Sequence, residues 1–131
     1  MRAFALGALG ALAVAIAAAL IVPMYADYRT RAQSHAWLAD LRTGTMVQIA
    51  EAAMRNGTVA GSGRGIAMPT FTSAPPAHVE VTDDGALILH GGRDGQFMVL
   101  TPRIDGDDVV WSCRGGSARD VPTQCAVDAE R

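Results

Sequence analysis

The sequence predicts an α+β chain: a long N-terminal helix, membrane-spanning in its first half and amphipathic in its second, packed on a four-stranded antiparallel sheet and ending in a C-terminal disulfide-bounded loop. Three observations carry this expectation. Residues Ala3–Ala26 contain no charged side chain. Apolar positions then recur at helical spacing as far as Asn56-Gly57. Beyond Ala77, short alternating segments are divided by strong turn formers.

As a helix the uncharged run would be about 36 Å long, enough to cross a bilayer core. A cleavable signal peptide is the competing reading, because Met1-Arg2 forms a short basic start and Ala17-Ala18-Ala19 or Met24-Tyr25-Ala26 offers small-residue cleavage sites. The run is longer than the usual apolar region of such a signal, which favours retention. Either way the remainder leaves the cytoplasm. The chain therefore divides into residues 1–26, a transmembrane or packing half-helix, and residues 27–131, a periplasmic or extracellular head. With 131 residues in all, the head has room for one small domain.

Pro23 need not end the helix, since a membrane helix can kink around proline while neighbouring groups satisfy the freed carbonyl. After Tyr28 the predicted buried stripe runs through Ala32, His35/Ala36, Leu38, Leu41, Thr45, Ile49 and Ala52/Ala53, with Arg31, Asp40, Arg42 and Glu51 off it. Gly44 weakens the middle by up to about 1 kcal/mol, and Asn56-Gly57 terminates the helix. Residues 57–76, rich in Gly, Ser, Thr and Pro, read as an irregular connection. The glycines of GSGRG lack the Lys-Ser/Thr ending of a phosphate-cradling loop.

Strands are predicted at His78–Thr82, Ala86–His90, Gln96–Thr101 and Val109–Cys113, separated by DDG, GGRDG and PRIDGDD. An antiparallel meander is their simplest arrangement. Its apolar face is expected to contain some of Leu87, Leu89, Phe97, Val99, Val109 and Trp111, and the amphipathic half-helix covers it. The expected head core is Trp37, Leu38, Leu41 and Trp111. Cys113 and Cys125 are the only cysteines and would most simply bridge in an oxidising compartment.

The sequence offers no chemistry beyond packing. His35, His78 and His90 lie far from the cysteines and show no ligand spacing; Asp105, Asp107 and Asp108 lack the terminal acidic ligand of a calcium loop. No catalytic residue, metal ligand or cofactor site is predicted, and the chain is not expected to be an enzyme. A net charge of -2 gives no reason to expect direct nucleic-acid binding.

Two blocks resemble the type IV pilins. Ala15–Gln33, AIAAALIVPMYADYRTRAQ, is similar to the pilin pattern of an apolar helix, a proline, then Tyr-x-Asp-Tyr and Arg-Ala-Gln, matched by Pro23, Tyr25, Asp27, Tyr28, Arg31, Ala32 and Gln33. Leu100-Thr101-Pro102, an acidic turn, Val110-Trp111-Ser112-Cys113, then Val121-Pro122 and Cys125 look like the last strands and disulfide-bounded loop of pilins from Gram-negative twitching bacteria. The resemblance implies a structural subunit of a pilus or related filament. Assembly would proceed by helix packing through Leu6, Gly7, Gly10, Ala15, Pro23, Tyr25 and Tyr28.

The implied partners are other pilin subunits, the inner-membrane pilus assembly machinery and membrane lipid. The implied location is a single pass through the cytoplasmic membrane with the head outside, and an extracellular filament once assembled. Adhesion, twitching motility and DNA uptake are the uses such fibres serve. The N-terminus departs from the family: alignment on Pro23 puts the mature first residue at Arg2 and the filament-docking Glu at Leu6, and no processing junction precedes it. A pilin-like accessory protein that is anchored but does not assemble is the alternative.

Overall fold

The computed structural model describes residues 28–126 together with Ala15, Ala19, Tyr25 and Ala26. Residues 28–43 form helix α1 and Thr45–Asn56 form α2, with the helical path interrupted at Gly44. Four strands follow: β1 His78–Val81, β2 Leu87–His90, β3 Phe97–Asp105 and β4 Asp108–Gly116. They pair antiparallel in the order β1-β2-β3-β4, a meander, and a short 3-10 turn at Thr123–Cys125 precedes the end of the described chain.

The expected long helix with a membrane-spanning half is corrected. Among the described residues no helix is long and apolar enough to cross a membrane, which also overturns the placement as a single-pass cytoplasmic-membrane protein. The physical reason is composition. The predicted spanning half, residues 1–26, lies outside the described residues apart from Ala15, Ala19, Tyr25 and Ala26; along the described helical path Arg29, Arg31, Asp40, Arg42, Glu51 and Arg55 interrupt any apolar window, and the path breaks at Gly44. That break has local causes. Gly44 takes φ -130° and ψ -94°, and the Thr43 hydroxyl beside it donates back to the carbonyls of Ala39 and Asp40, a pattern that bends helices. The other end of α2 follows the expected chemistry, with Gly57 in the left-handed region at φ 71°.

The core lies between the two helices and one sheet face. Trp37, Leu38, Leu41, Met46 and Ile49 descend from the helices onto Leu87, Leu89, Met98 and Leu100, with Val121 and Cys125 closing one end. Burying each large side chain is worth about 1.5–3 kcal/mol. On β3 the buried set is opposite to that predicted: Met98 and Leu100 are inside, whereas Phe97 is 40% exposed and Val99 only half-buried. The segment Phe97-Met98-Val99-Leu100 is apolar on both faces, so period-two alternation could not choose between them. The register decides, pairing Leu100 with Leu87 and Met98 with Leu89.

β3 also runs past Pro102, where a turn was expected to begin. β2 pairing ends at Leu87↔Leu100, so Pro102 has only β4 beside it, paired through Trp111. A proline is tolerated where one side of the strand has no partner to lose.

Cys113 and Cys125 form a disulfide across a Cα–Cα distance of 4.6 Å, stapling β4 to the C-terminal loop. Replacing both by serine is expected to lower stability by about 3 kcal/mol, the loop-closure value for a ring of this size. Urea denaturation of the two chains followed by tryptophan fluorescence measures it.

Candidate functional site

Helix α1 has two contrasting sides. The side turned to the head carries Thr30, Ser34, Trp37, Leu38 and Leu41, all buried; the other side exposes Arg29, Arg31, Ala32 and His35. The predicted stripe through Ala32 and His35 is therefore rotated in the first turns, where hydroxyls face inward. The cause is the surface beneath them, which is polar: the β2–β3 connection presents Asp94 and Gln96, and the C-terminal loop presents Asp120.

Gln96 is 1% exposed and anchors this seam. Its carboxamide donates to Gln33 Oε1 at 3.0 Å and Ser34 Oγ at 3.3 Å, and accepts from the Asp94 amide at 3.1 Å. Gly92 leaves the space the carboxamide fills, since a Cβ there would collide with it. Gln33 Oε1 also accepts from the Arg93 amide at 3.0 Å, and Thr30 donates its hydroxyl to the Asp94 carboxylate. Ser34 donates to the Asp120 carbonyl at 2.7 Å, and Arg31 Nε to the Arg119 carbonyl at 2.9 Å. One helix is thus tied to both the β2–β3 connection and the stapled loop.

Asp120 is the exception to full satisfaction. Its Oδ2 accepts from Ser117 at 2.6 Å, but buried Oδ1 has no hydrogen bond. The Arg119 guanidinium lies 3.7 Å away, close enough to attract but too far to donate, and its own side chain is mostly in solvent. Farther along α1, Trp37 Nε1 donates to the Ala74 carbonyl at 2.9 Å. Asp40 accepts from the Thr72 amide at 3.0 Å. These two contacts fasten the end of the 57–76 connection.

Replacing Gln96 by leucine leaves the Asp94 amide without its acceptor and removes one bond each from Gln33 and Ser34. The expected loss is about 1–3 kcal/mol in urea denaturation. Amide exchange should accelerate first in residues 30–38.

The predicted packing residues are distributed as follows. Ala15 is helical and exposed; Leu6, Gly7, Gly10 and Pro23 lie outside the described residues. Tyr25 and Tyr28 are 60% and 70% exposed at the start of the head helix, and the Arg29 guanidinium stands 5.9 Å from the Tyr25 ring centroid. Tyr28, Arg31, Ala32 and His35 line a shallow hollow of about 440 Å³. Of the predicted core set, Trp37, Leu38 and Leu41 are fully buried, and Trp111 is half-buried on the helix-facing side of β4 beside Cys113. His78 and His90, distant in sequence, become cross-strand partners on the opposite sheet face.

Sequence reading missed the polar seam. Thr30 and Ser34, one helical turn apart and in line with Trp37 and Leu38, were the available signal. Comparison with family models, curated proteins and solved structures finds no match to this chain.

Proposed function

We propose that the chain is a pilin-like structural subunit that works by packing against copies of itself in a type IV pilus or related filament. The observation that carries this reading is the pair of large aromatic side chains, Tyr25 and Tyr28, held in solvent on a helix whose other side is fixed to the head by hydrogen bonds. Exposed aromatics beside a small residue such as Ala32 form a surface that gains by being covered. The buried seam beneath fixes its direction. A helix-backed antiparallel meander with a stapled C-terminal loop is the head that the pilin resemblance implies.

Shearing cells that make the chain and pelleting the released material at high speed tests the proposal. Polymers built of this chain are expected, and Tyr28→Glu should reduce the pelleted fraction at least about tenfold by placing a charge in the contact. Release of monomer alone from the parent chain would contradict assembly and favour a non-assembling accessory protein.

A further inference from the structure

Two histidines on different strands meet on the outer face of the sheet. His78 is the first residue of β1 and His90 the last of β2, and the register sets them directly opposite one another. Both are exposed, on the side of the sheet away from buried Leu87 and Leu89. Cross-strand partners have Cβ atoms about 4.5–5.5 Å apart. With Zn–N bonds of about 2.0–2.1 Å, two ring nitrogens within about 4 Å of each other can share one zinc ion. Rotation of the two side chains is enough to meet that condition.

The backbone beside the pair is pinned. The Ala77 amide donates to the Gly91 carbonyl at 2.9 Å, and the Gly91 amide donates to the Gln96 carbonyl at 3.1 Å. The two chains approach so closely there that a Cβ at Gly91 would stand 2.7 Å from the Ala77 Cβ. The rings themselves are left unengaged by their neighbours. Phe97, the partner of His90 on β3, leans toward β4, where its ring lies against Gly116. Among the described residues the ion pairs are Arg64–Asp83 and Arg119–Asp120, so no carboxylate holds either imidazole.

Among the described residues no third histidine, cysteine or carboxylate completes a closed metal site. The pair is therefore an open site, with two protein ligands and solvent for the remaining positions. Imidazole suits zinc, nickel and copper, whereas calcium and magnesium take oxygen ligands.

We propose that His78 and His90 form a two-imidazole site for a divalent transition-metal ion, which clamps edge strand β1 to β2 at the end of the hairpin remote from its turn. β1 has four residues and a partner on one side only, so this end of the sheet opens readily unless it is held. The site does not rest on the filament reading.

Titration of the full chain with zinc chloride tests it, read by calorimetry and by hydrogen exchange. One zinc ion should bind per chain and slow exchange across residues 78–81 at least about tenfold at saturation. His78→Ala alone and His90→Ala alone should each weaken binding at least about tenfold and remove that slowing, because chelation needs both rings. His78→Gln and His90→Gln supply the same comparison if an alanine chain fails to fold. Calcium chloride should neither bind at the pair nor protect β1. Zinc uptake undiminished in either single variant, uptake without added protection at 78–81, or equal protection by calcium would overturn the proposal.

Discussion

Truncating Trp37 to alanine is expected to cost about 3–5 kcal/mol, the range for removing a fully buried large aromatic. Its indole is completely buried where α1 crosses the sheet, and its N–H supplies one of the bonds that hold the 57–76 connection at Ala74. The two contributions can be separated. Trp37→Phe keeps much of the ring volume and loses the donor, leaving the Ala74 carbonyl short of a partner, so it should cost only about 1–3 kcal/mol. Urea unfolding of both variants measures the difference. If alanine and phenylalanine were equally harmful, the hydrogen bond rather than the packing would dominate. If both were harmless, α1 would not be seated as described.

The second large effect is expected at Gly63. Ser62 and Gly63 are buried, and the Gly63 amide donates to the Asp83 carbonyl at 3.0 Å, laying the glycine-rich connection against the β1–β2 turn. A Cβ at Gly63 would run into the Thr82 carbonyl oxygen and stand 3.1 Å from the Gly85 amide nitrogen. Both obstacles are backbone, which cannot rotate aside. Gly63→Ala should therefore cost about 3 kcal/mol, the upper end for overpacking. Gly65 is an internal comparison, because it has φ 74° and open space around it. Gly65→Ala meets only the left-handed backbone penalty, about 1–2 kcal/mol. Equal losses at the two positions in thermal or urea unfolding would refute the steric explanation.

That contrast also shows what the sequence could and could not convey. The glycines of GSGRG were recognisable as loop formers, but that one of them makes a close backbone contact with a turn some twenty residues away is not a local property. Turn chemistry was far more legible. DDG, GGRDG and PRIDGDD marked the breaks between the four strands, although residues 102–105 of the last belong to β3 and Asp108 to β4; Gly85 and Gly106 do take positive φ at the β1–β2 and β3–β4 turns. Which side of β3 faces inward was not legible, because Phe97, Met98, Val99 and Leu100 satisfy either choice until pairing with β2 is known. Pro102 misled for a related reason: its tolerance depends on where the neighbouring strand stops.

The helices illustrate the same limit. Leu38, Leu41 and Ile49 could be placed inside from spacing, and Trp37 as a large aromatic between helix and sheet. Thr30 and Ser34 could not, because a buried hydroxyl makes sense only once Gln96, Asp94 and Asp120 are seen beneath it. The membrane-crossing half was expected in residues 1–26, which lie outside the described residues apart from Ala15, Ala19, Tyr25 and Ala26; the amphipathic half that follows is helical but broken at Gly44, the glycine that weakens its middle.

The central claim is that the exposed surface carrying Tyr25 and Tyr28 is covered by another copy of this chain. Its most direct measurement places a photo-crosslinking amino acid at residue 28 in cells making the full chain. Irradiation should give a ladder of self-crosslinked species, while the same probe at buried residue 38 should give none. Monomer alone at residue 28, or crosslinks only to other proteins, would contradict the account.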